Sequence, residues 1–277
     1  MSIKQTSEKP RVFLAMPHYT AHIHMAAAQA FFTSYTVGGV RVVRQQTWGG
    51  SLLAKSFNML WAMALASNEK DECEWFAMLH ADIGPEGGWV DKLIHEAIVN
   101  DADVVSACIP LKNAKGLTST GIDDPDDEFQ PLRRLTMREV HSQMVPLTFS
   151  AADLGQPDHA LLVNTGCFVA RLDRPWCRAT DQRGHLLSTF SIDDRIKRID
   201  GVWNVGVSPE DWRWSRMLHR AGAKVMATKK VVANHFGETG YRNDAAWGQY
   251  RNDEETQNVW QSKGCRIITD DAEQYAI

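Results

Sequence analysis

The chain has 277 residues, 44% hydrophobic and 23% charged, with a net charge of -4 at neutral pH. That make-up excludes disordered and fibrous classes, leaves enough apolar material for a substantial core, and gives no global attraction to nucleic acid. The five cysteines (Cys73, Cys108, Cys167, Cys177 and Cys265) are never spaced C-x-x-C, the opening MSIKQTSEKP lacks a signal-peptide core, and the longest apolar run, MLWAMALA at 59–66, is too short for a bilayer, so a cytoplasmic protein with reduced thiols and no membrane span is expected.

VFLAMP (12–17) predicts a buried strand, residues 21–33 a helix, VRVVRQQ (40–46) a strand and 51–66 a helix. EWFAML (74–79), a helix over 88–99 and ADVVSACIP (102–110) continue the βαβ rhythm of a doubly wound parallel sheet. In the helix over 88–99, Val90, Ile94, Ala97 and Ile98 share one face with Trp89 and Leu93 beside them, while Asp91, Lys92, His95 and Glu96 point away. Residues 112–131 are rich in turn formers and acids and read as a mobile loop or lid. Its Asp cluster at 123, 124, 126 and 127 lacks the ligand spacing of an EF-hand and reads as a solvated turn. HALLVNTGCFVARL (159–172), a helix over 208–221 and a strand near 223–233 extend the sheet with antiparallel strands, and a last helix is expected near 251–262. No G-x-G-x-x-G follows the first strand and no P-loop occurs.

Open α/β sheets collect ligands at the carboxyl ends of their strands, and PHYT, QTWGGS and HADIG arrive at three such ends. Asp82 offers oxygen to a hard cation and His80 adds a nitrogen, a set that suits manganese better than magnesium. On turn chemistry alone, Asp82 caps the Ile83-Gly84-Pro85 turn. KKVVANHFGETG (229–240) again ends a strand in an imidazole, His235, structural by itself and a further metal ligand when set beside HAD. In VGVSPEDWRWSRMLHRAG (205–222), Ser208 is the expected N-cap, Pro209 the first helical residue, Glu210 and Asp211 the first-turn acids and Gly222 the stop, with Trp214, Met217, Leu218 and Ala221 buried. The helix start lowers the pKa of Asp211 in this reading, and a carboxylate held there is placed to take a proton from a hydroxyl. Lys55 reads either as a solvated helix residue or as a cation for phosphate. His18, His22 and His24 show no zinc pattern and read as surface or cleft histidines. Trp48, Trp89, Trp212 and Trp214 are expected near the cleft, where one stacks on a sugar or base.

The strand-end HAD in place of D-x-D, the NTGCFVARLD strand, the PEDWRW helix start and the late NHFG resemble nucleotide-sugar glycosyltransferases of the GT-A fold, in particular the inverting family-2-like group, over roughly residues 11–240. The resemblance implies an α/β protein with a Rossmann-like, mostly parallel central sheet flanked by helices and mixed in its second half. It implies one domain over 1–277, with about 11–110 as the nucleotide-sugar-binding half, about 132–240 as the acceptor and catalytic half, and 241–277 as a tail. The implied reaction moves a hexose or pentose from a nucleotide-diphosphate sugar, a UDP-sugar first of all, to an acceptor hydroxyl, with inversion and with Mn2+ or Mg2+. Carried over residue by residue, Asp82 holds the metal on the diphosphate and His235 completes that site. Asp211 is the base, with Glu210 as its fallback, Gly166 lines the acceptor and sugar pocket, and Pro17 and the segment around Trp48 flank the nucleoside. His80 stands where the first Asp of D-x-D is expected, a departure that leaves Asp82 as the direct metal contact.

The acceptor is a glycan or small molecule, or a hydroxylated base in DNA of the phage type. The DNA reading rests on residues 171–198, which carry seven Arg or Lys (171, 174, 178, 183, 195, 197, 198) against four Asp (173, 181, 193, 194). The same run reads as a solvated surface. Two alternatives stand beside the transferase: a catalytically decayed sugar-nucleotide or glycan-binding module, consistent with His80, and a nucleotidyltransferase, whose glycine-rich signature MPHYTAHIH lacks.

Overall fold

The computed structural model describes residues 9–19, 22–34, 39–199, 202–252 and 266–267. Strand and helix alternate at first: β1 (Arg11–His18), α1 (Met25–Phe32), β2 (Arg41–Gly49), α2 (Leu53–Glu69), β3 (Trp75–Leu79), β4 (Ile83–Pro85), α3 (Trp89–Val99) and β5 (Val104–Ala107). Strands then dominate: β6 (Leu117–Asp123), β7 (Pro131–Thr136), α4 (Met137–Val140), β8 (Thr148–Phe149), β9 (Leu161–Leu162), β10 (Cys167–Arg171), β11 (Asp193–Ile199) and β12 (Val202–Ser208). The chain continues through α5 (Glu210–Arg220), β13 (Val225–Thr228), β14 (Ala233–Phe236), β15 (Gly240–Arg242) and β16 (Arg266–Ile267).

A seven-stranded sheet in the order β2-β1-β3-β10-β5-β13-β8 forms the centre. Strands β2, β1 and β3 are parallel, as are β5 and β13, while β10 lies antiparallel between β3 and β5 and β8 closes the edge antiparallel to β13. This is a Rossmann-like, mostly parallel sheet, mixed in its second half as the strand pattern predicts. Apolar runs such as VFLAMP and WFAML bury both faces of a strand, so helices must cover both sides. On one side α2 and α5 set Phe57, Trp61 and Trp214 against Phe13, Phe76 and Phe168. On the other, α1 and α3 set Phe31, Trp89 and Leu93 against Leu14, Ala77 and Val105. Phe168 sits at the middle of the sheet with its ring centroid 5.7 Å from Phe76 and 4.9 Å from Trp214. Phe168→Ala is therefore expected to lower stability by about 3–5 kcal/mol, measured as a drop in the urea midpoint at constant slope.

Several local expectations are corrected. Helix α1 begins at Met25, because the His24 ring caps it by accepting from the Ala26 N–H at 3.2 Å. Glu96 faces inward, 3% exposed, since Lys230 Nζ at 2.7 Å and the Thr148 hydroxyl at 2.6 Å satisfy it, and Ile98 is the exposed residue instead. The expected lid over 112–131 contains β6, the central strand of a β7-β6-β9 antiparallel sheet. Its polar residues hid it: Thr118 and Thr120 are fully buried, and the Thr118 hydroxyl donates to the Leu135 carbonyl at 2.7 Å. In the Asp cluster, Asp123 pairs with Arg216 and Asp127 with Arg195. Ser208 is not the N-cap of α5. It ends β12, and its hydroxyl accepts from Arg216 at 3.0 Å, while Pro209 takes the cap position without a side-chain bond.

Residues 253–265, which include most of the helix expected near 251–262 and Cys265, lie outside the described residues. The other four cysteines are free and buried, and burial pushes the Cys108 and Cys177 thiols up to about 12, which suits inert core residues. Among the described residues no helix is long and apolar enough to cross a membrane.

Candidate active site

Strand β3 delivers His80, Ala81 and Asp82 to the carboxyl edge of the sheet. The chain then turns straight into β4, which pairs antiparallel with β14 so that His235 stands opposite Ile83. Asn243, 1% exposed, fixes this pairing: its Oδ1 accepts from the Ala233 N–H at 2.7 Å, and its Nδ2 donates to the Cys108 and Val231 carbonyls. As a result His235 Nε2 lies 3.5 Å from Asp82 Oδ2, and the Phe236 N–H donates to the Asp82 carbonyl at 2.8 Å.

His235 Nδ1 lies 2.7 Å from the Pro110 carbonyl, which can only accept, so the ring proton sits on Nδ1. Two species then satisfy the gap between Nε2 and the carboxylate: a second proton, or a cation bound by both atoms. The 3.5 Å separation falls within the span of two metal–ligand bonds of about 2.1 Å each. Lys112 Nζ reaches the same Asp82 oxygen at 2.7 Å. Burial opposes ionisation of Asp82, but the hydrogen bonds from His235 and Lys112 override it and hold the carboxyl below its usual range. Asp82 thus faces side chains from two other segments instead of capping the turn that follows it.

His80 does not join this pair. Burial pushes its pKa down to about 4, so the ring is neutral, and it packs with its centroid 4.9 Å from that of Phe57, its buried Nε2 lacking a partner. Gly166 lies against it: the His80 N–H donates to the Gly166 carbonyl at 2.7 Å, and a Cβ on Gly166 would come within 2.6 Å of Asn164 Oδ1 and 3.2 Å of His80 Nδ1. Pro17 and Trp48 are opposite one another in the β1–β2 register, and Trp48 is half-buried against the core. Lys55 is exposed in the first turn of α2, away from any ion pair among the described residues. Trp89 and Trp214 are core residues, 1% and 0% exposed, and so do not line a cleft. Trp212 donates its indole N–H to the Ser119 carbonyl at 2.9 Å with the Arg134 guanidinium over its ring.

Residues 163–166 connect this edge to the start of α5. The Val163 N–H donates to the Ser215 hydroxyl at 3.1 Å, and that hydroxyl donates to the Asp211 carbonyl at 2.7 Å. Asp211 is 8% exposed, and its Oδ1 accepts from the Trp212 N–H at 2.8 Å. Burial, and then the charge of Glu210, push its pKa up to about 8, the reverse of the lowering expected from the helix start. Burial raises Glu210 as well. Asp211, with the half-buried Glu210 beside it in the chain, holds its proton at neutral pH.

Sequence reasoning missed Lys112, the cation that touches Asp82. Its only signal was its place two residues after the predicted strand 102–110. The run 171–198 makes ion pairs within the chain: Arg171 and Arg174 with Asp101, Asp103 and Asp173, and Arg195 with Asp127. Among the described residues no group of three or more His, Cys, Asp or Glu side chains is arranged to hold a metal. Any ion at Asp82 and His235 therefore has two protein ligands. His235→Ala is expected to weaken Mn2+ binding by roughly 10- to 100-fold. Loss of the bond to Pro110 limits the accompanying fall in Tm to about 4 °C, read by calorimetry, and a fall typical of a core deletion would make His235 structural.

No family model matches the sequence, and no curated protein matches it. Among solved structures, A197 from STIV is similar over 87% of this chain and 95% of that one, at 13% identity and a TM-score of 0.51, a likeness that shows the fold alone. CMP:2-keto-3-deoxy-manno-octonic acid synthetase complexed with CTP matches 78% of this chain and 88% of its own at 10% identity and a TM-score of 0.36. UDP-glucose pyrophosphorylase from Leishmania major, in complex with UDP-glucose, matches 78% of this chain and 51% of its own at 12% identity and a TM-score of 0.31. Both superpose too loosely to support more.

Proposed function

We propose that this chain is a metal-dependent glycosyltransferase that moves a sugar from a nucleotide-diphosphate sugar, a UDP-sugar first of all, to an acceptor hydroxyl with inversion. One observation carries the reading: β4 pairs with β14 at the carboxyl edge of a Rossmann-like sheet, so that Asp82, His235 and Lys112 converge there from three separate segments. A carboxylate, an imidazole nitrogen facing it and an ammonium suit a diphosphate and its cation far better than they suit an apolar ligand.

In this reading Asp82 Oδ2 and His235 Nε2 would hold Mn2+, or Mg2+, which would supply positive charge against a departing diphosphate. Lys112 leaves Asp82 for a phosphate oxygen, adding a second positive charge, and exposed Lys55 is a further candidate for that task. Pro17 and Trp48, side by side at the ends of β1 and β2, flank the nucleoside. Gly166, whose missing Cβ leaves room for Asn164 and His80, is assigned to the wall of the sugar pocket. His80 serves as a neutral, buried wall beside the cofactor. Asp211, ionised, takes the proton from the acceptor hydroxyl, and Glu210 stands next to it as the group with which that proton is shared. The acceptor is a glycan or small molecule, or a hydroxylated base in DNA; of the seven basic residues of 171–198, Arg171, Arg174 and Arg195 pair with carboxylates of the chain.

The test is mass spectrometry of products after incubation with a panel of nucleotide sugars and with glycan, small-molecule and hydroxymethylated-DNA acceptors, alongside Mn2+-dependent release of UDP. Nucleotide binding without turnover of any pair would identify a binding module. Pyrophosphate release from a nucleoside triphosphate and a sugar phosphate would identify a nucleotidyltransferase.

A further inference from the structure

Strands β11, β12 and β16 form a three-stranded sheet in which Trp203 pairs with Ile267, and its β11–β12 hairpin has two unlike faces. Directly opposed residues of antiparallel strands share a face, so Asp194, Ile196 and Arg198 stand with Val207, Val205 and Trp203. The opposite face is turned toward the body of the protein. There Gly206 and Ser208 are buried, Arg195 binds Asp127 at 2.8 Å, and a Cβ on Gly206 would lie 3.1 Å from Phe129 Cβ. The first face is apolar yet open: Ile196 is 72% exposed, Val207 46%, and Val205 and Trp203 38% each. An apolar sheet face of this kind marks an association surface.

Its charges select the occupant. Asp194 and Arg198 lie two residues on either side of Ile196, one acid and one base, so the face carries no excess charge to attract a polyanion. The order of these charges reverses when the hairpin is turned about the Ile196–Val205 row. A second copy laid face to face, with its strands antiparallel, puts Ile196 on Ile196, Val205 on Val205 and Trp203 on Val207. The same operation sets Asp194 over Arg198 at both ends. A two-fold contact brings one patch against itself and so requires this antisymmetry of charge. We propose that the chain forms a two-fold homodimer through this face, the two hairpins stacking as a small sandwich with Asp194–Arg198 pairs at its rim.

Sedimentation velocity and equilibrium of the full chain test the proposal. The parent should sediment at twice its 31.1 kDa mass. Asp194→Arg, which sets two cations against each other at both ends, should raise the dimer dissociation constant by at least about tenfold, and so should Arg198→Asp. The double variant Asp194→Arg with Arg198→Asp restores the pairing and should return the constant to within about threefold of the parent. Ile196→Asp should leave only monomer, with an unchanged circular dichroism spectrum as the check on folding. A parent that stays monomeric up to on the order of 100 µM would overturn the proposal, as would a double variant no tighter than the single reversals. A monomer that binds an oligonucleotide through Arg198 would assign the face to nucleic acid and overturn it equally.

Discussion

In purified, folded Asp211→Asn, acceptor turnover is expected to fall by roughly 10²- to 10⁴-fold while donor affinity stays near the parental value. The basis is the environment of the carboxyl group. It is 8% exposed, and burial followed by the charge of Glu210 raises its pKa to about 8. A base with that pKa is stronger than an ordinary carboxylate once ionised, and it is ionised only in the upper part of the pH range. Parental turnover should therefore climb as the pH rises through about 8, and the climb should be missing in the variant.

The sign of the stability effect is equally specific. The folded pKa lies above the unfolded one, so the unfolded state holds fewer protons between the ordinary value of 3.8 and about 8, and this residue makes the parent less stable as pH rises across that window. Asp211→Asn removes the penalty and, through its amide oxygen, keeps an acceptor for the Trp212 N–H. The variant should match or exceed parental stability at pH 7, whereas a first-turn acid serving only the helix dipole would leave it weaker by about 0.3–1 kcal/mol. Near-parental turnover in the folded variant would remove Asp211 from the mechanism.

Asp82→Ala should abolish the dependence of nucleotide-diphosphate binding on divalent cation and lower metal-supported turnover by at least roughly 100-fold, beyond the range seen when an outer-shell group is lost. Asp82 stays anionic throughout the neutral range because the His235 and Lys112 hydrogen bonds overcome its burial. Removing it leaves Lys112 without its partner and His235 as a single ligand. Calorimetry of UDP with Mn2+ and with EDTA measures the effect directly. Equal affinities for the parent under the two conditions would sink the metal assignment, whatever the variant does.

Much of this arrangement is legible in the amino-acid order. HAD follows the β-rich apolar run of β3, which places His80 and Asp82 at a strand end from local pattern alone; the strand expected to run into His235 ends instead at Thr228, and His235 lies inside the separate strand β14. Their adjacency is not local: it depends on the three-residue β4 pairing with β14 and on the buried amide of Asn243. Lys112 went unrecognised because the strand beyond it, β6, is polar and reads as a loop. In that strand the buried Thr118 hydroxyl finds a backbone acceptor, the Leu135 carbonyl, on a neighbouring strand.

What the chain's sequence determined by itself is the alternation of apolar strands and amphipathic helices, and hence the Rossmann-like sheet with helices on both faces. Hydrophobic burial follows period and composition, and both are local properties of the chain. Only the tertiary structure decided the charge states and partners. Glu96 turns inward because Lys230 meets it, and Asp211 holds a proton at neutral pH because burial and Glu210 outweigh the helix start. Ionisation depends on the solvent removed and on the charges brought near, and those come from segments distant in the chain.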